Sequence, residues 1–345
     1  MGKSALGLDI GSSSIKIAEL QRTGYSIRLK QYGVYPIPFG TLENGEIKDP
    51  QLIADQIRRV LNDLKIKTKG AVIAVAGQTV LVRHIKFPIM AKEELDSGIR
   101  FEAERYIPYP IEDACFAYEV INEDAGNNEM EVMIVAAQRQ LIESHVQCLK
   151  LAGIQPLAVD VQPFALVRAL GLTKTQHNKT MAVLDIGAGT SDLVIYRSGS
   201  PRFTRIIPIA GNRLTQAVAN EFKKSVQEAE KLKIKLGNPL TEEASTDEAR
   251  VSKAISPVLD ELIVEVRRSL DYYRLQQRGD EVDQIVICGG GARLKGCETY
   301  FTRELGMRVT KGNPLNLLTV DPSDELFDTA PVLSVGIGLA LREVE

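Results

Sequence analysis

The sequence predicts an α/β protein of two duplicated cores facing one cleft, with a compact unit inserted into the first core. Three observations predict it. The stretch LDIGSSSIK at residues 8–16 recurs about 175 residues later as LDIGAGTSD at residues 184–192, each time between two apolar runs of strand character. A third glycine turn, ICGGGARLKG at residues 287–296, follows another buried strand. Between these stretches, period-two and helical patterns alternate as they do in layered α/β domains.

Composition narrows the class. The chain has 345 residues, 44% hydrophobic and 25% charged, enough for two full cores. Its 42 basic and 45 acidic residues are interspersed and leave a net charge of −3, with neither a basic stripe for nucleic acid nor an acidic tail. Cys115, Cys148, Cys288 and Cys297 show no Cys-x-x-Cys spacing, and the three histidines lie far apart. A disulfide framework and a zinc site are therefore not expected, and a reducing cytoplasm is. The start, MGKSALGLD, has no apolar signal-peptide core, and Leu6 breaks the myristoylation pattern at Gly2. No run approaches the ~20 apolar residues of a membrane span.

The elements follow in order. Residues 4–10 form a buried strand; SIKIAEL and YSIRLKQYGVYPI continue it as a meander. Asp49 and Pro50 open the helix PQLIADQIRRVLNDL, apolar at Ile53, Ile57, Val60, Leu61 and Leu64. GAVIAVAG is a buried strand. VLVRHIKFP, the helix AKEELDSGIRFEAERYI, the strands DACFAYEVI and EMEVMIVAA, and the helix RQLIESHVQCLKLAG form a βαββα block. IQPLAVDVQ and the helix PFALVRALG return to the first core. In the second half, helices NRLTQAVANEF, VQEAEKLKIKLG and a long one from Pro257 to about Arg278 follow the duplicated hairpin. VDQIVICGGGA is a strand, and APVLSVGIGLALREVE a closing helix with small residues on one face. The expected boundaries are 1–80 for the first core, completed by 157–178 and the C-terminal helix at about 328–345. The inserted unit spans 81–156. The second core spans 179–327, with a helical subdomain at about 212–280.

The two hairpin loops suit phosphate. A glycine after a strand lets the backbone approach a ligand, and successive amides can cradle an anion. Ser12, Ser13 and Ser14 add hydroxyl donors and Lys16 a point charge. Asp9 would repel phosphate unless a divalent cation lies between them, and magnesium keeps its waters while doing so. Asp185, Gly187, Ala188, Gly189 and Thr190 offer the same set from the other side. Asp and Gly are also ordinary turn residues, and the recurrence is what points to a site. The triple glycine, Gly289 to Gly291, lets backbone pass a flat ligand, though alone it is equally a strand end. No Walker loop occurs, and the Rossmann fingerprint fails at its third glycine.

An Asp-x-Gly loop, an Asp-x-Gly-x-Gly-Thr loop and Gly-Gly-Gly-Ala, in that order, resemble the actin-like (ribonuclease H-like) ATPase superfamily over nearly the whole chain. The resemblance implies ATP or ADP, with Mg2+, between the two cores. It places Asp9, Gly11, Ser12, Ser13, Ser14 and Lys16 in the first phosphate loop, and Asp185, Gly187, Ala188, Gly189 and Thr190 in the second. Asp9 and Asp185 would hold the metal largely through water. Gly211, Gly289, Gly290, Gly291 and Arg293 would border the nucleotide. EAEKLKIKLG is similar to the helix under the nucleoside, with Glu230 and Lys233 at the ribose and adenine; by spacing alone it is as well a solvated charged face. VDVQPFALVRALG looks like the first connecting helix, where Gln162 would orient the attacking water. An amide positions water but is a poor base, so at most slow hydrolysis is expected. The same residues also serve as a plain helix start capped by Asp160 or Gln162.

The inserted block separates the branches. EAERYIPYPIEDACFAYEVI resembles the FtsA-like branch and, within it, the PilM family of type IV pilus assembly proteins; RALGL at 168–172 is in keeping. That resemblance implies a cytoplasmic scaffold for pilus biogenesis and twitching motility, working with other pilus assembly proteins. It would be held at the inner membrane by the N-terminal cytoplasmic peptide of a PilN-like protein, gripped beside the inserted SHS2-type unit. Neither nucleic acid nor direct membrane insertion is implied. Phe101, Tyr106 and Tyr109 are aromatic candidates for that groove, although aromatics near helix ends are more often core. An FtsA-like filament protein is the first alternative; the chain stops at LALREVE, where such proteins continue to an amphipathic anchor. A small-molecule kinase is the second, but the one aspartate near the connecting loops is Asp160.

Overall fold

The protein is described by a computed structural model over residues 2–172, 179–198, 200–241, 246–276 and 279–344. Strands β1 (Lys3–Ile10), β2 (Ser14–Thr23) and β3 (Ser26–Pro36) form the antiparallel meander. A small hairpin, β4 (Leu42–Glu43) and β5 (Glu46–Ile47), leads into helix α1 (Pro50–Asp63). The Asp49 carboxylate caps α1 by accepting the Leu52 amide at 3.0 Å. Pro50 takes the first turn, where no amide hydrogen is needed. Strand β6 (Gly70–Val75) runs parallel to β1, and β10 (Gln155–Val161) parallel to β6, giving the order β10-β6-β1-β2-β3.

The second sheet repeats this plan strand for strand. β11 (Thr180–Ile186), β12 (Ser191–Arg197) and β13 (Ser200–Ile207) are the meander, and β14 (Gln284–Cys288) and β15 (Val309–Lys311) the parallel pair, in the order β13-β12-β11-β14-β15. Helices α4 (Gln162–Ala169) and α10 (Ser334–Val344) lie between the sheets. Ala165, Leu166, Val335 and Leu339 share one buried cluster with Val72 of the first sheet and Val183, Val194 and Val286 of the second. The small residues of α10 permit this approach. A Cβ on Gly338 would lie 1.9 Å from the Ala165 carbonyl oxygen, and one on Gly7 of β1 would lie 2.0 Å from that of Gly336.

The inserted block contains β7 (Leu81–Pro88), α2 (Lys92–Ala103), β8 (Ala114–Asn122) and β9 (Glu129–Gln138), with sheet order β7-β9-β8. Its own core runs from Ile85 to Ala136. The next helix, α3 (Arg139–Leu151), places Cys148 and Leu149 in the cluster of the first sheet, beside Ile53 and Ile57 of α1.

Helices α5 (Gly211–Phe222), α6 (Val226–Leu236), α7 (Asp247–Gln276), α8 (Cys297–Leu305) and α9 (Asp324–Thr329) complete the second half. Three helix boundaries differ from expectation. Helix α7 begins at Asp247, and Pro257 lies inside it. The buried face continues through the proline from Val251 and Ile255 to Leu259 and Leu262, and this packing outweighs the lost backbone hydrogen bond. Helix α2 ends at Ala103, and α10 starts at Ser334 after a 3-10 turn at Ala330–Leu333. The expected helix end at Arg278, the segment 173–178 and the terminal residues Met1 and Glu345 lie outside the described residues.

Candidate functional site

The duplicated hairpins bring their turns together. In the first, Asp9 of β1 pairs in register with Lys16 of β2, and their side chains form an ion pair at 3.0 Å. The Gly11 amide donates to the Ser14 carbonyl at 3.1 Å, closing the turn. Ser12 lies at the tip and Ser13 is exposed, while Ser14 is buried in the sheet. In the second, the Gly187 amide donates to the Thr190 carbonyl at 3.0 Å. The tips meet: a Cβ on Gly189 would sit 2.9 Å from Ser12 Oγ.

Asp185 stands near the end of β11, where the strand leads into the second loop. Its carboxylate accepts a hydrogen bond from Gln162 Nε2 at 2.5 Å, which joins the start of α4 to β11. Gly289, in the turn just after β14, touches it. A Cβ there would fall 2.2 Å from Asp185 Oδ1, and the backbone has φ of +80°, so only glycine meets both demands. Gly291 packs on Ile186, and Gly290 faces open space. The triple glycine thus presses the β14 turn against the second loop.

Gly211 opens α5 behind that loop. Its amide donates to the Gly187 carbonyl at 3.0 Å, and the Asn212 amide to that of Ala188 at 2.8 Å. Lys233 of α6 is buried; its Nζ donates to the Gly211 carbonyl at 3.2 Å, to Thr215 Oγ1 at 2.8 Å and to Glu230 Oε2 at 2.7 Å. Gly211, Glu230 and Lys233 are thereby joined to the second phosphate loop in one hydrogen-bonded network. Arg293 is exposed and ion-paired with Asp328 of α9.

Asp192 was missed by sequence reasoning. It pairs in register with Asp185 and accepts from Thr190 Oγ1 at 3.2 Å. Burial raises the Asp185 pKa from 3.8 to about 6; Lys16 and the Gln162 hydrogen bond oppose the rise, and the charge of Asp9 adds to it. Burial, then the neighbouring Asp185, raises Asp192 from 3.8 to about 7. A signal for Asp192 existed: it ends the duplicated stretch where Lys16 ends the first copy. Cys288 of β14, also missed, pairs in register with Asp185 of β11, and burial pushes its thiol well above its usual range.

Asp160 is not available as a base. It is buried and held by Arg168 at 3.2 Å and Arg342 at 3.1 Å. Among the described residues, no three His, Cys, Asp or Glu side chains are grouped to hold a metal alone, and no helix is long and apolar enough to cross a membrane. Of the aromatic candidates in the inserted unit, Phe101 is 68% and Tyr106 42% exposed. Tyr109 packs on the unit's core and donates to the Thr79 carbonyl at 2.9 Å.

Comparison with known proteins agrees with this architecture. A family model described as type IV pilus assembly protein PilM matches residues 7–344. A solved PilM–PilN type IV pilus biogenesis complex is 32% identical, with a TM-score of 0.88, covering 99% of this chain and 98% of that one. The cell division protein FtsA of Bacillus subtilis (strain 168) is 24% identical over 268 residues; the match covers 70% of this chain and spans 60% of that relative's length. MreB5 of Spiroplasma citri bound to ADP is 14% identical with a TM-score of 0.57, over 99% of this chain and 96% of that one. These likenesses establish the actin-like fold.

Proposed function

The chain belongs to the PilM family of type IV pilus assembly proteins, and from that premise we propose that it is an ATP-binding scaffold. It grips the N-terminal cytoplasmic peptide of a PilN-like inner-membrane protein and is held at the membrane by that contact. The observation that carries the nucleotide reading is the meeting of two aspartate-led loops, with Ser12 against Gly189 and Gln162 bonded to Asp185. The solved PilM–PilN complex supports the partner reading.

The residues fit a magnesium nucleotide. Gly11 and Gly187 to Thr190 offer turn backbone to the phosphates, and Lys16 already lies over Gly11, within 2.5 Å of a Cβ placed there. The crowding of Asp9, Asp185 and Asp192 suits a divalent cation that keeps its waters, since no protein-only cage is present among the described residues. A bound magnesium would supply the positive charge that lets phosphate approach these aspartates. On the nucleoside side, Gly211, Gly290 and the Glu230–Lys233 pair would form the wall. Gln162 is an amide engaged with Asp185, which accords with slow turnover or none.

Titration of the protein, with and without Mg-ATP, against the N-terminal peptide of a PilN-like protein tests this reading. Nucleotide-sensitive peptide binding is expected. Phosphoryl transfer to a small acceptor at ordinary enzyme rates would replace the scaffold with a kinase. ATP-dependent pelleting of filaments would favour an FtsA-like role.

A further inference from the structure

A buried polar latch joins the inserted unit to the second core. His84 of β7 is bonded through Nε2 to the Pro201 carbonyl of β13 at 2.5 Å, and its Nδ1 lies 3.0 Å from Glu131 of β9. Arg202 of β13 ion-pairs with Glu131 and lies 3.4 Å from His84 Nδ1. Ser200 Oγ is 3.4 Å from His84 Nε2. All three latch side chains are mostly buried, at 13% exposure for His84, 23% for Glu131 and 20% for Arg202. Burial and the Arg202 charge lower the His84 pKa, while the Pro201 carbonyl and Glu131 oppose the shift.

The other end of β13 is built into the second phosphate loop. Ile207 pairs with Ser191, and Ser191 Oγ donates to the Ile209 carbonyl at 2.6 Å. Two residues later, the Gly211 amide holds the Gly187 carbonyl at 3.0 Å. In between, Arg205 ties the strand to Glu265 of α7 at 2.6 Å and to Ser269 at 2.9 Å. From Pro201 to Ile207 the strand spans roughly 20 Å. Its register on β12 is continuous from Phe203 to Ile207 and shifts by one residue at Arg202, so the bulge lies at the latch and the paired run beyond it carries a displacement toward the phosphate loop.

We propose that β13 is a strut that carries the state of the second phosphate loop to the inserted unit through the His84–Glu131–Arg202 latch. The inference rests on the reading of the cleft as a nucleotide site. It supplies a physical element through which occupancy of the cleft would bias the unit beside which the partner peptide binds, and by reciprocity the peptide would bias the cleft.

Hydrogen–deuterium exchange of the full chain, with and without saturating Mg-ATP, tests this. Amides in residues 81–88 and 129–138 should slow by about fivefold or more on nucleotide binding, the lower range of measured couplings. In Arg202→Ala and Glu131→Gln the chain should still bind ATP, but that slowing should vanish. Glu131→Gln keeps the volume of the buried group, so it reports even where loss of Arg202 disrupts the interface. Equal slowing in both variants, or unchanged exchange in a wild type that binds ATP, overturns the strut. A wild type that fails to bind ATP in a direct titration overturns the nucleotide reading and the strut with it.

Discussion

Asp9 and Asp185 hold the same place in two duplicated hairpins, yet Asp9 is paired across its strands with Lys16 and Asp185 with Asp192. The first jaw therefore neutralises its own carboxylate through the 3.0 Å ion pair. The second buries two carboxylates together, countered by the Gln162 amide and the more distant Lys16. Duplication set the backbone, and divergence at one position made the jaws electrically unlike. The second jaw is where a cation is most needed.

Removing that need tests the metal reading. Asp185→Ala should weaken Mg-ATP binding by on the order of tenfold to a hundredfold, the span of a charge-assisted contact. Asp9→Ala should weaken it less, because Lys16 is released from its ion pair and can turn to phosphate. With EDTA present, Asp185→Asn should bind ATP better than wild type, since a like charge is gone. Titration calorimetry measures all three, and unchanged Mg-ATP affinity in Asp185→Ala would mean that the cleft is misplaced.

The acidic pair should also leave a pH signature. Both folded-state pKa values are raised, to about 6 and about 7, so the folded protein binds more protons than the unfolded chain between pH 4 and pH 7. Their contribution to stability is present at low pH and falls as pH rises through that window. In nucleotide-free protein, thermal melts should show wild type losing stability relative to Asp192→Asn from pH 5 to pH 7.5. Parallel curves would show that the pair is ionised throughout.

The approach of the two tips gives a steric test. Gly189→Val places a branched side chain where a Cβ is already 2.9 Å from Ser12 Oγ. Gly189 is exposed and Ser12 half-buried, so the melting temperature should change little while ATP affinity drops. A melting-temperature loss as large as that of a core variant would show that the tips serve the fold, not the ligand.

Gly338 should behave in the opposite way. Its Cβ would lie 1.9 Å from the Ala165 carbonyl oxygen, between two buried helices, with backbone on the far side. Gly338→Ala should cost about 1–3 kcal/mol in denaturant unfolding, as overpacking does. An unchanged midpoint would contradict the close packing of α4 on α10.

Much of the fold was legible because it rests on local pattern. The recurring Leu-Asp-Ile-Gly, the period-two runs and the capped helix at Pro50 each announce themselves within ten or so residues. Pro257 misled because its local rule lost to a buried stripe running through it, and only packing carries that information. Asp192 went unremarked because its significance comes from a partner seven residues back across a hairpin, not from its own type.

By itself, the sequence determined that two strand–turn–strand units would form, with glycines where backbone must bend and aspartates at their mouths. Hydrophobic periodicity and turn chemistry act over short distances, so they are written along the chain. Which residues meet was decided only by tertiary structure: Gln162 on Asp185, Ser12 against Gly189, Asp160 taken by two arginines, and His84 latched to Pro201. These contacts join residues far apart in the chain. They follow from the packing of two sheets around α4 and α10, where the absence of a side chain on Gly338 counts as much as the presence of any other.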